Sequence, residues 1–170
     1  MERAATAEAG LPELLHSYMT YRLVMTASAV AAIRALAPES ADGRETGGIL
    51  IGRGPDADGL IVVDQAGDAG PGAIRRADFF LRDRAHAERL AEAAWDDRQA
   101  VWVGDWHTHP MGGPQPSERD LRTYTGLLAA AELEFEVFTS IIVVPDPTAG
   151  WERPVLTPWL FPRTDTRRPH

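Results

Sequence analysis

Apolar and polar positions alternate along this chain in two periods, one of two residues and one near 3.6, and the switches between them divide it into strands and helices. "YRLVM" (21–25) reads as a strand. "TASAVAAIRALAP" (26–38) reads as a helix capped by Thr26 or Ser28 and stopped at Pro38. "SADGRE" (40–45) is expected to be a loop, and the glycine-bounded runs "TGGILIGR" (46–53) and "GLIVVDQAG" (59–67) fit buried strands. The glycine-rich connection from 67 to 83 carries a strand around Asp78–Leu81, and "DRAHAERLAEAAWDD" (83–97) places apolar residues at helical spacing. "AVWVGDWHTH" (100–109) favours a strand, followed by the Pro/Gly loop "PMGGPQP" (110–116). "SERDLRTYTGLLAAAELE" (117–134) begins with a serine cap and continues as an amphipathic helix. "VFTSIIVV" (137–144) predicts a strand that stops at Pro145, and "WERPVLTPWLF" (151–161) a proline-interrupted edge strand. Ahead of all these, "LPELLHSYM" (11–19) predicts a short helix covering the core, behind a frayed polar start.

Strands and helices alternate without internal repeats, which predicts an α/β structure, a single mixed β-sheet flanked by helices. The expected division is an N-terminal extension at 1–20, one domain at 21–161 and a polar tail at 162–170. The chain has 170 residues, 44% of them hydrophobic, enough for one real core. No apolar run approaches the roughly 18 residues needed to span a bilayer, and the N-terminus has no apolar signal core. A soluble, cytoplasmic protein with no membrane partner is expected. The net charge of −8 argues against nucleic acid as a partner, since such binding rests on clustered cations. Cysteine is absent, which excludes disulfides, thiolate nucleophiles and cysteine-ligated zinc, and with them the zinc deaminases. All 17 basic residues are arginine, and heavy Ala, Gly, Arg and Pro usage makes the codon bias of a GC-rich genome the simplest reason.

Within that frame one stretch stands out, "GDWHTHPMGGPQPSERD", from Gly104 to Asp120. On an extended strand His107 and His109 share a face, while Trp106 and Thr108 point to the other. A stiff loop then returns the chain to Ser117 at a helix N-cap, with Asp120 one turn on, so both can look back toward the histidines. Two imidazoles and a carboxylate are a common ligand set for catalytic zinc, with a position left for water. Each part also has a plainer reading. An isolated H-x-H is weak evidence, Ser117 and Asp120 can be a cap with an acid favouring the helix dipole, and Glu45 on its own reads as a solvated loop carboxylate.

The whole spacing, H-x-H-x(7)-S-x(2)-D, with the upstream "ETGGILIG", resembles the JAMM (MPN+) metalloprotease family, also called JAB-domain proteins, over roughly Tyr21 to Phe161. The resemblance implies the cytidine-deaminase-like JAMM/MPN architecture and one catalytic Zn²⁺ held by His107, His109 and Asp120. It implies that Glu45 is the general acid/base for the zinc-bound water and that Ser117 hydrogen-bonds the oxyanion. Asp105 has the parity of the two histidines, which fits a residue that orients a ligand or touches substrate, and equally an ordinary strand-end aspartate facing solvent. His86 and His16 read as ordinary surface or half-buried histidines, His170 is uninformative, and Trp102 and Trp106 are both expected to pack the opposite face of the strand into the core.

Family membership further implies a zinc isopeptidase or peptidase that cuts after the C-terminal glycine of a ubiquitin-like protein or its conjugate. An extended Gly-rich tail of that kind can add as a strand at an exposed sheet edge. The chain is similar to the compact bacterial forms. Phe80-Leu81-Arg82-Asp83, with the acid and tryptophan ahead of the histidines, resembles JAMM proteins of anti-phage (CBASS-type) operons, where E1/E2-like proteins are companions. In such a pathway a chain without lysine would escape conjugation on its own side chains. Two alternatives stand beside this reading: a zinc hydrolase acting on another peptide or small-molecule conjugate, and a non-catalytic scaffold of the same fold.

Overall fold

The computed structural model describes residues 20–163; the expected helix at 11–19 with His16, and His170, lie outside them. Along the described residues the elements are β1 (Arg22–Met25), α1 (Ala27–Leu36), β2 (Gly47–Arg53), β3 (Leu60–Ala66), β4 (Ile74–Arg75), β5 (Phe80–Leu81), α2 (Arg84–Arg98), β6 (Val101–Thr108), α3 (Glu118–Ala129), β7 (Val137–Asp146) and β8 (Gly150–Pro162). Each helix starts where a side-chain oxygen satisfies a free amide. Thr26 accepts from the N–H of Ala29, Asp83 from His86 and Ser117 from Asp120.

Six strands make one mixed sheet in the order β1-β3-β2-β6-β7-β8, in which β1–β3 and β6–β7 are parallel and the other pairs antiparallel. The alternation of side chains on each strand divides the core between the two faces. Ala29 and Ile33 of α1 pack with Leu50, Val63, Trp106, Ile141 and Val143 on one face. On the other, Ala87 and Ala94 of α2 meet Ile49 and Ile51, and Tyr124 of α3 meets Phe138. The site lies on this second side, where α3 begins.

Four local expectations change. The segment 40–45 is not all loop, because a 3₁₀ turn covers Ala37–Asp42, with Pro38 at its start where a missing N–H costs nothing. The glycine-rich connection holds two short strands, β4 and β5, paired as a hairpin apart from the main sheet. β7 runs through Pro145 to Asp146, and the proline falls at a register shift between Val144 and Asp146 where no ladder N–H is required.

Trp102 also departs from expectation. Leu50 pairs with Gly104 and Ile51 with Trp102, so Val103 is an extra residue, a β-bulge. The bulge reverses the side-chain parity: Val103 and Trp106 face α1, whereas Trp102 joins the α2 and α3 side against Phe135 and Phe138.

A candidate metal centre at the end of the sixth strand

β6 carries His107 at its C-terminal end, and His109 follows directly after it. The N–H of His109 donates to the carbonyl of Val143 on β7, which holds the residue in the line of the sheet. Both histidines are buried, and α3 enters over them with Asp120 in its first turn. The geometry converges. The Nε2 atoms of His107 and His109 are 2.9 Å apart; Asp120 Oδ1 is 3.4 Å from the first and Oδ2 3.3 Å from the second. Ligand atoms from all three lie within 4.8 Å of one another.

These separations suit a shared ion, because donors about 2.0–2.2 Å from a tetrahedral zinc lie roughly 3.3 Å apart. The chemistry of the donors points the same way. His109 Nδ1 is 2.9 Å from the carbonyl of Gly113, which makes Nδ1 the protonated nitrogen and leaves the lone pair on Nε2. That lone pair faces the Nε2 of His107, an arrangement that needs a cation or a proton between the two rings.

The electrostatics of the metal-free site are those of a cation-binding pocket. Burial alone would raise the carboxyl of Asp120, but hydrogen bonds from His107, His109 and Ser117 outweigh it and hold the group far below the ordinary carboxylate range. Burial opposes the charge on His109, yet the bonds to Asp120 and to the Gly113 carbonyl leave its pKa raised. Glu45 sits half-buried beside this cluster, and loss of hydration raises its carboxyl despite the attraction of both histidines.

Glu45 is placed by contacts that sequence reasoning missed. Its N–H donates to the carbonyl of Arg76, and its own carbonyl accepts from Arg75 Nε at 3.0 Å. The same Arg75 guanidinium reaches the carbonyls of Glu39 and Arg44 and the carboxylate of Asp42. The hairpin β4–β5 thus fixes the loop bearing the glutamate. Thr108, the middle residue of the histidine pair, ties the other side of that loop: its Oγ1 accepts from the N–H of Thr46 at 2.9 Å and lies 2.6 Å from Ser40 Oγ. Gly47 completes the fit, since a Cβ there would stand 2.2 Å from the carbonyl of Trp106 and 2.9 Å from His107. The glycine pair of the upstream "ETGGILIG" was the available signal, but its pattern does not disclose the close approach to β6.

Ser117 is where the sequence predicts it, as N-cap of α3, but its hydroxyl is engaged. Oγ donates to Asp120 Oδ2 at 2.7 Å and accepts from the Asp120 N–H, forming a capping box. Asp105 does not reach the histidines directly by any hydrogen bond. It is buried in the lining of the adjoining groove, paired at 2.7 Å with Arg82 and accepting from Trp102 Nε1 at 3.0 Å. His86 faces Asp68, away from the cluster, on α2. The groove itself, about 310 Å³, runs from Glu45, His107, Ser117 and Asp120 between β5 on one side and Thr123 and Leu127 of α3 on the other.

Two imidazoles from a strand and a carboxylate from the next helix, gathered on one side of a mixed sheet, define the class: an α/β protein with a three-ligand candidate metal site at a strand end. The profile of Prok-JAB, prokaryotic homologs of the JAB domain, matches residues 26–155, and the chain belongs to that family. A protein of Enterobacter hormaechei named CD-NTase/cGAS isopeptidase is 30% identical over 121 residues, 71% of this chain and 65% of that protein. A probable metalloprotease of Sinorhizobium fredii is 32% identical over 91 residues, 52% of this chain and 55% of the relative. The chain therefore spans only 55–65% of the length of these curated relatives. A solution structure of a Desulfitobacterium hafniense protein shares the fold, with a TM-score of 0.58 at 21% identity, covering 82% of this chain and 84% of the other. Among the described residues no helix is long and apolar enough to cross a membrane.

Proposed function

We propose that this protein is a zinc isopeptidase that releases a ubiquitin-like protein, at its C-terminal glycine, from an acceptor protein. The observation that carries this reading is the convergence of His107, His109 and Asp120 Nε2 and Oδ atoms beside a half-buried Glu45 at the head of a groove. Relatives named CD-NTase/cGAS isopeptidase support an acceptor of that enzyme class, and with it E1/E2-like partners that would have made the bond. When bound, the zinc would supply a Lewis acid and an activated water at neutral pH.

The chain's own groups divide the remaining work. His107, His109 and Asp120 would hold the ion, and Gly113 keeps His109 in the tautomer that presents Nε2. Glu45, with its affinity for a proton raised by burial, takes a proton from the nucleophile and returns it to the departing amine. Ser117 stabilises the oxyanion once its hydroxyl turns from Asp120 Oδ2 toward the reacting carbonyl. The groove between β5 and α3 receives the extended tail, with the free edge of the β4–β5 hairpin available for strand addition. The acidic chain needs no nucleic acid and no membrane for this chemistry.

A trapping experiment tests the proposal. Glu45→Gln is expressed in the native host with its neighbouring genes, and covalent species that accumulate relative to wild type are identified by mass spectrometry. Conjugates joined from a C-terminal glycine to a lysine, and released by added wild-type protein, are expected. Accumulation of unbranched peptides or small conjugates alone would move the assignment to the other zinc hydrolases.

A further inference from the structure

The groove beside the candidate metal centre contains an ion pair that the chemistry above leaves unused. Arg82, the residue directly after β5, lines it together with Asp105. Nη1 donates to Asp105 Oδ2 at 2.7 Å, while Asp105 Oδ1 accepts from Trp102 Nε1 at 3.0 Å. The guanidinium carbon stands 5.1 Å from the centre of the Trp102 ring. One edge of the guanidinium is therefore held by a carboxylate and one face by an indole. The β-bulge at Val103 makes this possible, because without it Trp102 would point to the opposite side of the sheet.

Among the described residues, the side chain of Arg82 donates to Asp105 alone, which leaves Nε and Nη2 without a protein acceptor. The side chain is 25% exposed, against 11% for Asp105, so the open part of the pair is the arginine, on the groove side. A fixed planar donor edge lining a groove suits an acceptor of matching geometry. Its charge is already met by Asp105, so the acceptor that fits best is a neutral one. A backbone carbonyl of an extended chain is such an acceptor.

We infer that Arg82 is a substrate-binding residue, donating through its free edge to a backbone carbonyl of the peptide tail in the groove, and that Asp105 and Trp102 are the positioning residues that hold it. This rests on the isopeptidase reading above. It adds to that reading a determinant of tail binding, independent of the groups that hold the metal.

The test uses the full chain and a synthetic probe, the peptide Ala-Ala-Ala-Gly-Gly joined through its carboxyl to the ε-amine of a fluorescent lysine. Cleavage kinetics are measured with zinc-loaded protein, and probe binding by fluorescence anisotropy with metal-free protein. Arg82→Lys keeps a cation beside Asp105 but loses the second edge; Arg82→Met keeps only the stem on Trp102. In both variants KM and the metal-free Kd are expected to rise about tenfold or more, with kcat changed little and zinc content retained. Arg82→Lys with wild-type KM and Kd would show that the pair is structural only and overturn the inference. So would a tenfold preference of wild type for a probe with Glu among its first three residues that persists in Arg82→Lys and disappears in Arg82→Met, because the acceptor would then be a carboxylate. If wild type neither binds nor cleaves the probe, the isopeptidase reading falls and this inference with it; cleavage unaffected by Arg82 leaves that reading standing alone.

Discussion

Trp102 and Trp106 stand four residues apart on one strand, and an unbroken strand would turn both to the same face. Instead a single inserted residue, Val103, sends them to opposite sides of the sheet. Trp106 is fully buried against α1 in an apolar core, its one polar atom satisfied by the carbonyl of Gly67 at 2.8 Å. Trp102 backs Arg82 and Asp105 in the groove that leads to the histidines. The α1 face packs the apolar cluster around Trp106 and supplies stability. The α2/α3 face buries Asp105, His107 and His109 and supplies chemistry. Buried charges are tolerated there because each is paired or aimed at a partner.

Substitutions separate the two faces. The largest effect on the site side is expected for Glu45→Gln, which should lower turnover on the order of 10²- to 10⁴-fold while zinc content and Tm stay at wild-type values. A full rate in steady-state kinetics would remove Glu45 from the mechanism. On the core side, Trp106→Ala should cost about 3–5 kcal/mol of stability in denaturant unfolding, since it leaves a large cavity against Leu50 and Ile33. Ser117→Ala tests both roles of one residue: kcat falling on the order of 10²-fold supports the oxyanion role. A loss of only about 1 kcal/mol in stability, with kcat unchanged, would leave the cap alone.

The smallest effect is on pH dependence, measured as Tm with and without zinc. In metal-free protein the depressed Asp120 carboxyl contributes stability above its ordinary pKa of 3.8, lost as the pH falls below that. The raised His109 contributes stability below its ordinary value of 6.5, lost as the pH rises through its folded pKa. Their joint contribution is greatest between those two values. Zinc binding has the opposite slope, because the ion must displace the proton on His109, so the rise in Tm that zinc produces should grow from pH 6 to pH 8. A zinc-induced rise that shrinks over that range would mean that His109 does not ligate.

Much of this organisation was legible in the residues. The alternation in "AVWVGDWHTH" placed His107 and His109 together, and the serine before "ERDLRTY" placed Asp120 in a first helical turn; both follow from local periodicity and capping. Where the strand pattern broke, the reading failed. A bulge such as that at Val103 depends on the register with β2, which no single strand discloses, and so Trp102 was assigned to the wrong face. The hairpin β4–β5, two residues per strand, is too short to carry a period, and the clamp of Arg75 on the Glu45 loop is a contact across 30 residues. The threonine between the histidines is placed by the strand period on the opposite face, but its bond to Thr46, one residue beyond Glu45, is not visible in sequence. Such contacts are set by tertiary packing and leave no local trace.

The most direct test of the central claim is the metal content of the purified protein, wild type beside His109→Ala and Glu45→Gln, by inductively coupled plasma mass spectrometry after dialysis against limiting zinc. The arrangement of His107, His109 and Asp120 predicts one zinc per chain in wild type and Glu45→Gln and almost none in His109→Ala, with all three folded. Equal zinc in wild type and His109→Ala, or none in folded wild type, would contradict it.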